Sequence, residues 1–325
     1  MIKRSKAMIL KFTSRLISLS ILVFSIVLFG CAGNGLKEYH SEDFFRAENF
    51  SEIGHDYYQK GQFRNALIYF EKSLNIHTIN DNLMGIADDL NNIGSVYFAV
   101  KDIETALNYY QRALEKNEML GNLKGKANNL VNLGSVYMSI NKMERALQYF
   151  DRSLAIKRKL GNKRGVALIL NNIGLVNKHK GNLEKAAFYY DESLKINKKI
   201  DFKRGIAGNL NNLGVIEEIR ENLNMSMNYY KMALEIDKEI GYYKGIANDL
   251  NNIASLYRAM GKKEDAIDYC ERALKVNKRA GNVYRVLEDF KNLSDIYESL
   301  GNKGKSRKYK ELAKNISKKI NKSFN

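Results

Sequence analysis

The sequence predicts an all-α fold, a solenoid of about seven helix-turn-helix units. Three observations carry that reading. The 325-residue chain aligns with itself at a shift of 40 residues without an insertion. Within each half of the repeat, apolar residues recur at three- and four-residue spacing, the period of a helix with one buried face. Proline is absent, and Leu, Lys, Glu, Ala and Asn abound, a composition suited to helices joined by short turns. Apolar residues at 45% and charged residues at 27% exclude a disordered chain.

Three columns fix the register. An apolar residue followed by a small one stands at Ile53-Gly54, Ile93-Gly94, Leu133-Gly134, Ile173-Gly174, Leu213-Gly214, Ile253-Ala254 and Leu293-Ser294. A tyrosine follows in every copy: Tyr69, Tyr109, Tyr149, Tyr189, Tyr229, Tyr269 and Tyr309. Between them lie Ala66, Ala106, Ala146, Ala186, Ser226, Ala266 and Ser306. In the second copy, Ile86, Leu90, Ile93, Val96 and Tyr97 form one face of a first helix. Lys101-Asp102 turns the chain, and Ile103, Ala106, Leu107, Tyr110, Ala113 and Leu114 form the face of a second helix. Leu120-Gly121-Asn122 ends it, with glycine where a left-handed stop is easiest. A mid-helix glycine costs about 1 kcal/mol relative to alanine, so Gly94 and its equivalents must permit a close contact. The expected partner is the Ala106 column of the paired helix.

The order Leu90, Asn92-Ile93-Gly94, Tyr97, then Ala106, Tyr110 and Ala113-Leu114 resembles the tetratricopeptide repeat. It is most similar to the longer form, of 40 residues, seen in kinesin light chains and spindle-orientation adaptors. The resemblance covers residues 45–322 and implies a right-handed superhelix whose first helices line a concave groove. There are departures. The usual proline after the second helix is missing throughout. Asn177 and Glu217 replace the tyrosine of the Tyr97 column, and Cys270 replaces the aromatic of the Tyr110 column. Local packing in the fourth to sixth units is therefore expected to differ. In the last unit Tyr309, Leu312, Ala313, Ile316 and Ile320 keep an apolar stripe. Lys310 and Lys314 stand where other copies have an aromatic and a leucine, as a solvated capping helix requires.

Residues 1–30 read as a targeting segment. Lys3, Arg4, Lys6, Lys11 and Arg15 precede an apolar run from Leu16 to Phe29, too short for a bilayer-spanning helix. The run ends in Leu28-Phe29-Gly30-Cys31, which resembles the bacterial lipobox; the resemblance implies a diacylglycerol on the Cys31 thiol and cleavage before it. Phe29 is bulkier than that motif usually has. Residues 31–44 would then be a lipidated tether. Ala32 is not the aspartate that commonly retains lipoproteins at the inner membrane. The expected location is the outer membrane facing the periplasm in a host with two membranes, and otherwise the outer face of the plasma membrane.

Function is expected where residues recur without being needed for packing. Asn92, Asn132, Asn172, Asn212, Asn252 and Asn292 form a ladder, one per unit, and Asn91, Asn171, Asn211 and Asn251 precede it. Asparagine is a mediocre helix former because its amide competes for backbone hydrogen bonds. The family resemblance implies that such amides bond the backbone of an extended peptide in the groove. The structural alternative is that the ladder bonds between adjacent helices. Formal charge is +17, and losing the five basic leader residues leaves +12. Clusters at Lys157-Arg158-Lys159, Lys163-Arg164, Lys198-Lys199 and Lys203-Arg204 sit at helix corners; such clusters could steer an acidic partner or rest on anionic lipid headgroups, and the helix dipole alone also favours cations at C-termini. No phosphate loop, nucleophile elbow or metal-ligand spacing occurs, so neither catalysis, a cofactor, a metal nor a small-molecule substrate is expected. A basic nucleic-acid tail is not expected either. Two functions remain: an envelope-anchored adaptor or scaffold for a protein or extended peptide, and a regulatory module controlling an envelope enzyme or sensing a peptide.

Overall fold

The computed structural model describes residues 41–322. The leader, Cys31 and nearly all of the tether lie outside them. Contacts divide the chain after Phe45, and the unit from Arg46 onward carries the repeats.

Fourteen helices and no strand occur among the described residues. They are α1 (Ser41–Gln59), α2 (Phe63–Ile79), α3 (Leu83–Ala99), α4 (Ile103–Met119), α5 (Leu123–Ser139), α6 (Met143–Lys159) and α7 (Lys163–His179). There follow α8 (Leu183–Lys199), α9 (Lys203–Ile219), α10 (Leu223–Glu239), α11 (Tyr243–Ala259), α12 (Lys263–Arg279), α13 (Val283–Ser299) and α14 (Lys303–Lys322). Odd-numbered helices are the first of each unit. Each packs on its own second helix, which packs in turn on the next first helix. The first helices of the second to sixth units also touch along the array. They form its inner side, as the family resemblance implies.

The turns repeat at half the sequence period. A residue with φ between 49° and 77° stands at every twentieth position from Gly61 to Gly301. Helices α2 to α13 accordingly have 17 residues each, separated by three-residue turns. Eight of the left-handed positions are glycine, and Asp81, Lys101, Asn141, Asp201 and Glu221 fill the others. Lys101 takes this conformation and Asp102 caps the next helix, accepting from the Thr105 N–H at 3.2 Å.

The mid-helix glycines face a different partner from the one expected. A Cβ on Gly94 would lie 2.9 Å from the Tyr110 ring, and one on Gly134 2.6 Å from Phe150. At Gly54, Gly174 and Gly214 the nearest atoms are again the rings of Phe70, Tyr190 and Tyr230. The ring thus lies flat against bare helix backbone, while the Ala106 column is buried beside it. This contact explains two departures at once. Where Cys270 replaces the ring, Ala254 replaces the glycine, and both are buried in one cluster. Burial pushes the Cys270 thiol up to about 12, which makes it a packing residue.

The tyrosine columns stack in pairs, with ring centroids 5.5 Å apart at Tyr97–Tyr109, 5.2 Å at Tyr137–Tyr149 and 5.7 Å at Tyr297–Tyr309. Asn177 and Glu217 break this series, as expected, and both stay buried. Asn177 Nδ2 donates to the Ile173 carbonyl at 2.8 Å. Glu217 accepts from Arg220 and Asn222, each at 2.8 Å. A cleft of about 510 Å³ beside Asn177 and Tyr189 marks the missing ring. In α14, Ser306 and Ala313 are buried and Lys310 reaches Glu298 at 2.7 Å.

The glycine–ring contact is testable by a double-mutant cycle. Gly134→Ala should lower the unfolding free energy by about 1–3 kcal/mol through overpacking, despite the better helix propensity of alanine. In a Phe150→Leu background the same substitution should cost much less. Additive losses in chemical denaturation would remove the ring as the reason for the glycine.

Candidate functional site

The inner face is built on a polar seam that crosses each joint between units. At the second joint, Asn117 of α4 donates to Asn129 of α5 at 2.7 Å, and Asn129 donates to Asn91 of α3 at 3.0 Å. The fourth joint repeats this with Asn197, Asn209 and Asn171 at 2.7 and 3.1 Å. Asn277, Asp289 and Asn251 occupy the sixth, where both amides donate to the carboxylate at 2.6 and 2.8 Å. At the first joint the pair is His77 and Asp89, 2.7 Å apart, and burial pushes the Asp89 carboxyl up against the pull of His77. The third joint differs: Val131 and Ile169 replace the amides. Lys157 runs inward there and donates to Asn128 at 2.6 Å. A second glycine column serves the seam. A Cβ on Gly125 would meet Asn117 Oδ1 at 2.1 Å, and one on Gly165 would meet Lys157 at 2.9 Å.

Seven of the ten predicted ladder residues join this seam. Asn132 donates to Asn91 at 2.7 Å, Asn212 to Asn171 at 2.7 Å and Asn252 to Asn211 at 3.1 Å. Asn211 in turn donates to Asp249, and Asn251 to Asp289. Asn92, Asn172 and Asn292 make no side-chain hydrogen bond among the described residues. Val131 explains Asn172, since it offers no acceptor where Asn91 and Asn171 do. The carbonyl oxygens of Asn132, Asn212 and Asn252 also have no partner among the described residues. All six ladder amides are half-buried on the inner face, and each keeps at least one hydrogen-bonding group open.

Toward the N-terminal end of the first helices, the inner face carries Lys124, Arg164, Arg204 and Lys244, all exposed. Arg164 and Arg204 flank a cleft of about 490 Å³ between the fourth and fifth units, with Leu168, Asn171 and Asn212 in its walls. Gly208 stands there with nothing near its Cα, where other units carry a side chain. Residues that sequence reasoning missed are the seam partners Asn117, Asn129, Asn197 and Asn209, and this basic row. Their signal was present: the basic row recurs at the 40-residue shift of the ladder, and Asn117 and Asn129 recur at twice that shift as Asn197 and Asn209. Among the described residues no group of His, Cys, Asp and Glu could hold a metal ion, and no helix is long and apolar enough to cross a membrane.

The chain belongs to the tetratricopeptide-repeat family, whose model, described as "Tetratricopeptide repeat", matches residues 45–118, 125–199, 205–279 and 245–319. No curated protein sequence matches it. Solved structures with the same fold include the Rap conjugation gene regulator of plasmid pLS20 in complex with the Phr* peptide. It is 18% identical, with a TM-score of 0.65, over 91% of this chain and 80% of that one. Aspartyl phosphate phosphatase F from Bacillus subtilis is 12% identical, with a TM-score of 0.67, over 86% and 72%. A kinesin light chain repeat protein of Podospora anserina is 12% identical, with a TM-score of 0.50, over 60% and 96%. At these identities the likeness is one of fold.

The fifth joint gives a pH prediction. Asp237 and Asp249 stand where the second and fourth joints pair amides, and both are buried. Burial first, and for Asp249 also the neighbouring carboxylate, raises their pKa values to about 6 and about 7, against the pull of Arg204 on Asp237 and of the Asn211 amide on Asp249. Raised carboxyl pKa values favour the protonated form in the folded state. This contribution to stability is present in full below about pH 4 and is lost as pH rises through 6 to 7. Melting temperature should therefore fall across that window. Asp237→Asn, which copies Asn277, should raise it by several degrees at pH 7.5 and little at pH 5. Parallel melting profiles of the two proteins would contradict this account of the buried carboxyl pair.

Proposed function

We propose that this chain is an envelope-anchored lipoprotein that binds a protein or extended peptide along its inner face and acts as an adaptor or scaffold. The carrying observation is the row of half-buried amides with open hydrogen-bonding groups, one per unit, facing the inner side. An amide offers both donor and acceptor, so it matches a peptide bond whatever the side chain. The 40-residue repeat sets these amides at regular intervals, as an extended polypeptide would need. The Rap regulator with its bound Phr* peptide is an array of this fold holding a peptide, which supports the same use here. That protein is a conjugation gene regulator, which favours a regulatory module as the second reading. An adaptor co-purifies stoichiometrically with envelope proteins, whereas a regulator changes the rate of an enzyme. Anchoring rests on the basic segment, the apolar run and Leu28-Phe29-Gly30-Cys31.

A photo-crosslinking residue in place of Asn172 should capture a polypeptide partner in living cells, and one in place of exposed Glu115 on α4 should not. Equal capture at both positions would rule out the inner face. Asn172→Ala should weaken the partner by about five- to tenfold, the value of one neutral hydrogen bond, without changing the melting temperature. Asn171→Ala should lower the melting temperature, because it breaks the seam. Cys31→Ser should leave a precursor that keeps its leader and incorporates no labelled fatty acid; normal shortening and labelling would end the lipoprotein reading.

A further inference from the structure

Lys124, Arg164, Arg204 and Lys244 occupy one position in four consecutive units, the second residue of α5, α7, α9 and α11. That position is a poor one for a cation. The partial positive charge of a helix N-terminus repels it, so the dipole that accounts for Lys157-Arg158-Lys159 and Lys198-Lys199 does not account for these. Nor do carboxylates. Lys126 reaches Glu118 at 2.9 Å and Lys203 pairs with Glu239, but none of the four row cations has a carboxylate within ion-pair distance among the described residues. Lys124 acts on Asp88, and Arg204 on buried Asp237, only from further away. One turn along the same inner stripe, these four units carry Asn128, Leu168, Gly208 and Asn248, all uncharged; acidic residues stand there only in the other units, at Glu48, Asp88 and Glu288. Lys157, 6% exposed, adds a buried ammonium whose one hydrogen-bond partner is neutral Asn128.

The two arginines are held in place at a cost to the array. Asn122 and Asn162 cap their helices by accepting from the Gly125 and Gly165 N–H groups at 3.1 and 2.8 Å. In the next two units Phe202 and Tyr242 take that place, and neither α9 nor α11 has a side-chain cap. The rings lie instead against the preceding unit's guanidinium, 4.1 Å from Arg164 to Phe202 and 4.1 Å from Arg204 to Tyr242. Arg204 also donates to the Tyr242 hydroxyl at 2.7 Å. Losing the asparagine has a second effect. Asn122 donates to Asn117 Oδ1 at 2.7 Å, and without its counterpart Asn197 Oδ1 is buried unpaired. The result is two guanidiniums held against aromatic rings, with no carboxylate at ion-pair distance, flanking the cleft that Gly208 leaves clear.

We propose that the third to sixth units bind an acidic polypeptide segment, with its carboxylates on Lys124, Arg164, Arg204 and Lys244 and its backbone on the asparagine ladder; the cleft between the fourth and fifth units is the central subsite. This rests on the peptide-binding reading above and adds the charge of the partner. A guanidinium matches a carboxylate bidentately, and one already held against a ring loses less freedom on binding. A polypeptide fits better than a lipid surface, because the cations lie beside amides that bond backbone and face inward.

The test uses the full-length chain in detergent and a fluorescein-labelled peptide of alternating glycine and glutamate, read by fluorescence anisotropy. Its glycine–glutamine counterpart is the neutral control. The acidic peptide should bind at least about tenfold tighter at low salt, since each charge-assisted hydrogen bond contributes more than a neutral one. Arg164→Gln with Arg204→Gln should remove that preference, whereas Lys203→Gln, which discharges the neighbouring paired lysine, should change it less than about twofold. Equal binding of the two peptides would overturn the inference, as would equal losses in both variants. Binding of phosphatidylglycerol vesicles through the same arginines, with no peptide preference, would assign the row to a membrane and overturn it too. If Asn172 crosslinks a polypeptide while the acidic peptide fails, only the partner's charge is wrong and the inner-face reading stands.

Discussion

One left-handed residue at every twentieth position is the constraint on which this molecule depends. It makes every internal helix the same length, about 25 Å, and returns the chain at the same angle each time. A pair of such helices cannot bury its apolar face alone, so each second helix must lie along the next first helix. Equal length lets that contact run the whole way. The columns seen in sequence are the consequence, since corresponding side chains of successive units fall at corresponding places in each joint. Even Lys101 and Glu221 adopt the left-handed turn, which glycine accepts more readily.

Within that frame the apolar columns and the polar seam behave differently. The ring against Gly94 and its equivalents is nearly invariant in size, and where it shrinks to Cys270 the glycine gains a methyl at Ala254. The seam varies instead: His77–Asp89, Asn117–Asn129, Lys157 beside Ile169, Asp237–Asp249 and Asn277–Asp289 fill the same place in different joints. All are buried, where an unpaired polar group is costly. Geometry is therefore shared among the joints while their electrostatics are individual. The array has uniform shape and non-uniform charge.

The inner face carries that difference outward. Its amides divide their bonds between the seam and open space, and its cations stand on helix N-termini with no carboxylate at ion-pair distance. The units that carry the cations are those whose neighbouring inner positions are neutral. A concave surface concentrates the field of such a row. The aromatic residues at 202 and 242 exchange a helix cap for a stacked guanidinium, so local helix stability yields there to the arrangement of charge.

By itself the sequence determined the repeat length, the number of units, the apolar columns, the helix stops and the solvated last helix. These are local or periodic properties, and a 40-residue self-alignment exposes them directly. The structure decided what the columns touch. Gly174 lies within reach of both the Ala186 backbone and the Tyr190 ring, and the packing of the helix pair put the ring nearer. Asn91 and Asn92 are neighbours in sequence but point about 100° apart on a helix; one is spent on the seam and the other is open. The seam partners Asn117 and Asn129 looked like ordinary polar positions, because their burial arises only when a third helix closes over them. Corner cations read alike until the helix boundaries placed some at C-termini, which favour them, and others at N-termini, which do not. Periodicity is written along one chain, whereas a side chain's partner depends on the angle at which two helices meet.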